Sequence, residues 1–370
     1  MTSQDPARQI RLPQLDLLRF AAAVAVTLYH YVSCYPKGAD ATAGIVGAVS
    51  NVTRYGYLGV DLFFMISGFV ILWSSIGRDA TSFVISRVSR LFPAFWFSLI
   101  FTALLIYFLH DVVPEVDVPA LSLRTMLANA TMVPAIFDSP LIEGVYWTLE
   151  IEMRFYALIF ALLLLRQMRH VEAWIYTWLA VSIACLFFRL PWVVNYLALQ
   201  PYGSFFVAGG LFYLVLAKGS SAPRIAGLVC AAAACVYVSL QQRGQFLTAD
   251  DTSAIIVPAL ILVFFGLFAL LVSRKSRRAE SGVARNLGDL TYSLYLTHAT
   301  MGLLLYHLLR PYLGLLPTVL AITLIAGAVA WLVTKYVDVP SRKPVTNLLS
   351  RLAALVGLRR TTPLPTQSAT

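Results

Sequence analysis

Arg19 and His30 stand eleven positions apart in an otherwise apolar stretch, Leu15 to Cys34 (LDLLRFAAAVAVTLYHYVSC). On an α-helix, eleven steps of ~100° bring the second residue within ~20° of the first and ~16.5 Å further along the axis. A fixed cation and a titratable imidazole therefore share one helix face at different depths. The stretch is long enough to cross a bilayer, which takes ~20 apolar residues. Ionisable side chains inside a spanning helix cost free energy, so Asp16, Arg19 and His30 stand out as functional groups. Snorkelling would also account for Arg19, and hydrogen-bonded packing for His30.

Two carboxylates lie in other apolar segments. Asp61 falls ~4 residues into the segment 57–77, Glu152 ~6 residues into 146–166, and His30 ~15 residues into the first, so on a ~30 Å core all three are expected at one level in the outer half. A carboxylate on one ring nitrogen fixes the tautomer and makes the other nitrogen a better base, so Asp61 or Glu152 is expected to orient His30. Either carboxylate could instead lock the bundle through backbone or arginine. Glu150 and Arg154 are spaced i, i+4 and can neutralise one another, while Glu152 points to the other side of that helix. In the segment 288–309, Thr291, Tyr295 and His298 follow i, i+4, i+7, one polar stripe with His298 near mid-membrane. Ser86-Arg87-Val88-Ser89-Arg90 places two arginines on one helical turn, where their planar guanidinium groups suit a phosphate or pyrophosphate. Arg19 can extend the same cationic mouth.

These groups need a scaffold, and the composition says which. The chain is 59% hydrophobic and 12% charged, about half the charge of a soluble domain. That describes an all-α, polytopic helical bundle in a membrane. Ten apolar segments are expected: 15–35, 57–77, 91–110, 146–166, 173–188, 203–217, 223–240, 254–273, 288–309 and 315–336. Of the 28 lysines and arginines, 20 fall in the loops on the N-terminal side and six on the other. By the positive-inside rule, both termini are cytoplasmic. Residues 1–340 form one membrane domain. The segment 341–370 is a cytoplasmic tail, with an amphipathic helix over 345–360 and a disordered end.

The net charge of +10 sits in short loops and is read as topology rather than nucleic-acid binding. The loop 111–145, with Asp111, Glu115, Asp117, Asp138 and Glu143 against Arg124, reads as a solvated cover or as the way in for a polar substrate. Cys34, Cys185, Cys230 and Cys235 form no zinc or CxxC pattern and are expected as small buried hydrophobes. No metal site and no cleaved signal peptide are expected, and no phosphate-binding loop or hydrolase elbow is present. The arginine mouth and the deeper base together suit an anionic ligand with a long arm and a reactive tip. An acyl-CoA has that shape, as do other phosphorylated or lipid-linked donors.

Four blocks carry a family resemblance. They are Leu15-Asp16-Leu17-Leu18-Arg19 through Tyr29-His30; Gly56-Tyr57-Leu58-Gly59-Val60-Asp61-Leu62-Phe63-Phe64-Met65-Ile66-Ser67-Gly68-Phe69; Arg87-x-x-Arg90-Leu91-Phe92-Pro93; and Trp147-Thr148-Leu149 with Glu152 and Phe155-Tyr156. The ending Tyr292-Ser293-Leu294-Tyr295-Leu296-Thr297-His298 also matches. In this order the chain resembles the membrane-bound acyltransferase-3 family, whose members O-acylate extracytoplasmic glycans such as polysaccharides and lipopolysaccharide. The stretch around Trp147 resembles the exopolysaccharide-modifying branch. Met153-Arg154 departs from a more usual Glu-Gln, which leaves no second carboxylate there.

The resemblance implies a bacterial inner-membrane O-acyltransferase with no permanently bound cofactor. Acyl-CoA, acetyl-CoA in the simplest case, is the expected co-substrate, and a glycan or glycolipid is the expected acceptor. His30 is implied as the catalytic residue supported by Arg19, with Asp61 and Glu152 on matching motif positions. Arg87 and Arg90 are implied on the acyl-CoA side, where Tyr295 and His298 are also assigned. A general base and a covalent acyl intermediate on His30 are both open as mechanisms. With no fused esterase-like domain, the membrane domain or a partner is expected to handle the acceptor; oligomers are compatible with such a chain. The competing readings are a secondary transporter or flippase, which ten spans with buried Asp, Glu and His would also suit, and a scaffold in an export complex.

Overall fold

The structure, a computed structural model, describes residues 12–37, 44–247, 251–273 and 282–357. Arg8, Arg11, Arg274, Lys275, Arg277, Arg278, Arg359 and Arg360, eight of the cations used for orientation, lie outside the described residues, as do residues 358–370 of the expected tail. Fifteen α-helices follow one another, with no strand among the described residues. They are α1 (Pro13–Leu28), α2 (Gly44–Thr53), α3 (Gly59–Ser75), α4 (Ala80–Leu109), α5 (Leu123–Ala130), α6 (Trp147–Leu164), α7 (Val171–Phe187) and α8 (Trp192–Leu197). Then come α9 (Gly203–Lys218), α10 (Ala222–Phe246), α11 (Asp251–Ser273), α12 (Gly282–Thr297), α13 (Ala299–Leu313), α14 (Leu315–Val333) and α15 (Val339–Leu355). π-helical turns extend α1 over Tyr29–Cys34 and α14 over Thr334–Asp338.

Seven helical stretches are long and apolar enough to cross a membrane: Pro13–Cys34, Gly44–Ser75, Ala80–Leu109, Gln167–Phe187, Ala222–Phe246, Thr252–Ser273 and Leu315–Leu355. Large apolar side chains such as Ile100, Leu104, Ile255 and Leu324 stand exposed along them, an arrangement suited to lipid and a liability in water. Three of the ten expected segments fall short of that measure for distinct reasons. The helix α6 carries Glu150, Glu152 and Arg154. With only 16 residues, α9 is short, and it is buried without interruption from Gly203 to Leu214. The expected ninth segment, 288–309, is not one helix: it breaks at His298 into α12 and α13. Glu150 of α6, the short α9 from Gly203 to Leu214 and the break from Thr297 to Ala299 are buried in protein, where polarity and breaks are tolerated.

Close backbone approach assembles the centre of the bundle. A Cβ on Gly209 would sit 1.9 Å from the Met65 carbonyl oxygen, and one on Gly68 would sit 2.1 Å from that of Phe206. Only glycine therefore lets α3 and α9 meet this tightly, as small residues do between membrane helices. Gly56 and Gly59 press in the same way on the carbonyls of Ala25 and Ala22 in α1, and Gly288 of α12 presses on Asp16. Thus α1 packs against both α3 and α12, while α4 packs against α6, α12 and α15. Asp79 caps α4, accepting from Ser82 N at 2.9 Å and Ser82 Oγ at 2.7 Å; this fixes the start of the helix that carries Arg87 and Arg90.

Residue 340, the expected end of the membrane domain, lies in α15, whose Arg342 ties back to Asp338 at 2.6 Å and Asp289 of α12 at 2.8 Å. One further expectation changes. Of the cysteines only Cys235 is buried, while Cys34 and Cys230 are exposed, because an apolar helix face that would meet lipid needs no protein cover.

Gly209→Ala is expected to cost about 1–3 kcal/mol through overpacking against Met65, whereas Gly266→Ala, with nothing near its Cβ position, leaves stability within about 0.5 kcal/mol. Thermal unfolding of both variants in one detergent compares them directly.

Candidate active site

Three cavities line up along the seam between α1, α3 and α12 and share walls. The first, of about 530 Å³, is lined by Asp16, Arg19, Arg78, Arg87, Arg90, Asp289 and Arg342. Arg19, Arg87, Arg90 and Gly288 also line the second, of about 100 Å³, together with Ser67, Glu152, Tyr156 and Tyr295. Val60 and Tyr295 separate the second from the third, of about 290 Å³, whose lining includes His30, Asp61, Glu143, Trp147, Tyr202, Ser239 and Gln242. At the divide, Tyr295 Oη lies 2.8 Å from Thr148 Oγ1. The row runs from guanidinium groups at one end to an imidazole at the other. Arg19 and His30 both open onto it, as their shared helix face requires.

The cationic end is only partly neutralised. Arg19 lies 3.8 Å from Asp16, and Arg342 is held by two aspartates. Arg87 is 8% exposed, reaches Ser86 Oγ only at 3.4 Å, and leaves Nε without a hydrogen-bond partner. No carboxylate pairs with Arg87 or Arg90 among the described residues. Uncompensated buried cations are costly, and an anionic ligand would relieve that cost.

Glu152 belongs to this end and not to the level of His30. Its Oε1 accepts from Ser67 Oγ at 2.6 Å and Tyr156 Oη at 2.7 Å. Ser67 lies six residues beyond Asp61 on α3, ~9 Å along the axis at 1.5 Å per residue. Position along an apolar run does not set this level, because the chain before α6 is itself buried at Ile142, Glu143, Val145 and Tyr146. The expected Glu150–Arg154 pair does form, with the guanidinium 4.0 Å over the Tyr196 ring.

At the other end, the partner of His30 is not a carboxylate. His30 Nδ1 lies 2.9 Å from the Val26 carbonyl oxygen and 3.3 Å from His298 Nε2. Asp61, buried, instead accepts from Ser239 Oγ at 3.3 Å. Neither Asp61 nor Glu152 hydrogen-bonds His30; the side chain within hydrogen-bond reach of its imidazole is His298. His298 is fully buried and lines neither arginine cavity. The π-helical turn Tyr29–Cys34 carries His30; such turns interrupt α-helical register and often sit at functional sites.

Of the loop expected as a solvated cover or as the way in for a polar substrate, Glu143 is 0% exposed and lines the third cavity. Both carboxyl oxygens lie 3.1 Å from Thr300 N and accept its hydrogen, which caps the start of α13. Tyr31 Oη donates to the His298 carbonyl at 2.8 Å and Tyr35 Oη to that of Ala299 at 2.7 Å. The available sequence signal for Glu143 was the apolar run Pro140-Leu141-Ile142 before it: a loop with that composition buries itself, and Ile142 is only 1% exposed. Another acid of the loop, Glu115, does sit at the surface, 3.4 Å from His307.

The family described as an acyltransferase domain (acyltransferase-3) matches residues 12–335, and the chain belongs to that family. It is similar to acyltransferase MdmB of Streptomyces mycarofaciens, 29% identical over 204 residues, covering 51% of this chain and 48% of that protein. It is also similar to the exopolysaccharide production protein ExoZ of Rhizobium meliloti (strain 1021), 29% identical over 253 residues, covering 66% of this chain and 75% of that one. The chain thus spans about half the length of the first and three quarters of the second. No solved structure matches.

Burial pushes the Glu143 carboxyl up to about 7 from its ordinary 4.5, against the pull of the Thr300, Gly144 and Val145 N–H groups. The folded protein therefore holds this proton more tightly than the unfolded chain, and stability falls as pH rises from about 4.5 to about 7. Glu143→Gln is expected to flatten that part of a melting-temperature profile measured between pH 5 and 8, while Glu143→Ala loses about 1–2 kcal/mol of capping. A wild-type profile that rises over this range would contradict the assignment.

Proposed function

We propose that the chain is a multi-pass O-acyltransferase of the bacterial inner membrane that moves an acyl group, acetyl in the simplest case, from acyl-CoA to a hydroxyl of an envelope or extracellular glycan. The observation that carries this reading is the row of wall-sharing cavities from Arg87 and Arg90 to His30. A donor with a phosphate-bearing head, a thin arm and a thioester tip matches its order. The arginine end then faces the cytoplasm, with ten crossings and both termini inside; the three segments too polar, short or broken to pass as free-standing spans cross within the bundle. The name of the exopolysaccharide relative and the aromatic, carboxylate and amide groups of the third cavity, including Trp147, Tyr202, Asp61 and Gln242, support a sugar as acceptor.

In this reading Arg87, Arg90 and Arg19 hold the phosphates, and Tyr295 borders the arm where it passes between cavities. His30 accepts the acceptor's hydroxyl proton while that oxygen attacks the thioester carbonyl. The C–O bond forms, the C–S bond breaks, and the proton passes to the departing thiolate. Asp61 holds the acceptor rather than the imidazole, and Glu152 holds the arginine end through Ser67 and Tyr156. No metal is required.

Acetyl-CoA binding and turnover by the full chain in nanodiscs test the reading. His30→Ala is expected to bind donor within twofold of wild type and to lose at least about 100-fold in turnover. The double variant Arg87→Ala/Arg90→Ala is expected to weaken donor binding at least tenfold. A folded wild type that binds no acetyl-CoA removes the donor assignment, and passage of labelled glycan unchanged across the membrane would favour transport.

A further inference from the structure

We infer that His298 is the positioning residue for His30: a neutral imidazole, not a carboxylate, fixes the tautomer of the base. The inference rests on the reading of His30 as the base and adds a second histidine to it. Two carbonyl contacts assign the protons. The Tyr295 carbonyl oxygen lies 2.9 Å from His298 Nδ1, and the Val26 carbonyl oxygen lies 2.9 Å from His30 Nδ1. A carbonyl only accepts, so both Nδ1 atoms carry hydrogen. His298 Nε2 is then a lone pair, 3.3 Å from His30 Nδ1, and accepts a share of the His30 N–H. What remains on His30 is Nε2, unprotonated and without a hydrogen-bond partner among the described residues, on a ring that lines the third cavity. The protein chain orders the atoms as Tyr295 C=O, His298 Nδ1–H, His298 Nε2, His30 Nδ1–H and His30 Nε2.

His298 is held as a positioning group must be. It stands at the break between α12 and α13, and its own carbonyl accepts from Tyr31 Oη and from Gly302 N at 2.9 Å. Gly302 is glycine because a Cβ there would lie 2.2 Å from the Tyr31 ring. No carboxylate hydrogen-bonds either imidazole among the described residues: Asp61 is engaged by Ser239, and Glu143 by Thr300 N. Accepting a proton at Nε2 makes His30 a cation whose Nδ1–H is already shared by Val26 and His298. The neutral acceptor spares the apolar bundle a permanent buried ion pair between turnovers. His30 returns the proton to the leaving thiolate, so His298 gains and loses none.

Two measurements test this on the full chain in nanodiscs. The first is ¹⁵N NMR of the five histidines, with His30 assigned by its loss in His30→Ala and His298 by its loss in His298→Leu. Both residues should show the Nδ1–H tautomer; an Nε2–H tautomer on His30 overturns the inference whether or not acetyl-CoA is turned over. The second compares acetyl-CoA turnover in His298→Leu, which keeps bulk without an acceptor, and His298→Gln, whose amide oxygen can return one near the Nε2 position. Loss of about 100-fold in kcat with KM for acetyl-CoA within twofold, and recovery of at least tenfold by glutamine, is expected. Equal activity of His298→Leu and wild type, or equal loss in both variants while folded, overturns it. If wild type turns over no acetyl-CoA, the functional reading fails and the tautomer alone decides the inference.

Discussion

Backbone groups inside an apolar bundle have no water to turn to, so a helix end placed there must be answered by protein. The break at His298 is such an end, and much of the site is its answer. The carboxylate of Glu143 takes the Thr300 N–H, while Tyr31 and Tyr35 donate to the carbonyls of His298 and Ala299. Three remote pieces of chain are thereby drawn to one point: the loop before α6, the π-helical end of the first span, and the α12–α13 junction. His30 meets His298 at that point. Loss of any one partner leaves a buried polar group unpaired, so fold and site depend on the same hydrogen bonds.

The seam itself exists because backbones can touch. In lipid there is little hydrophobic force between helices, and close packing through small residues does the joining. Gly56, Gly59, Gly68, Gly209 and Gly288 bring α3 onto α1 and α9, and α12 onto α1. The same helices supply the lining of the cavities: Arg19 and His30 from the first span, Asp61 and Ser67 from α3, Tyr295 from α12. Tight contact and open space alternate along one interface. In the helices that look least like membrane spans, α6, α9 and the α12–α13 pair, the polar and broken parts are buried because they need protein neighbours.

Polar chemistry is sorted along this seam. Cations gather at one end, where Glu152 joins them by way of Ser67 and Tyr156. Two histidines and the carboxylates Asp61 and Glu143 gather at the other. In a medium of low dielectric, charges of like kind repel strongly and unlike charges lock together. Separating the guanidinium groups from the carboxylates around the third cavity keeps both from collapsing into ion pairs, as Glu150 and Arg154 do on α6.

Composition and local pattern alone determined the membrane-embedded all-α class, the helical character of all ten apolar segments, the shared face of Arg19 and His30, the Glu150–Arg154 pair and the pairing of Arg87 with Arg90. These follow from helix periodicity and from the cost of burying charge, both local properties. The ordered blocks from Leu15 to His298 also carried the family. Tertiary structure alone decided who touches whom. It placed Glu152 among the arginines, because the depth of a helix is set by where its preceding loop packs and not by where its apolar run begins. It turned Glu143 from a loop acid into a buried cap, and it broke the ninth segment at His298. It also gave His30 an imidazole for a partner, because that contact joins residues 268 positions apart whose meeting no periodicity encodes.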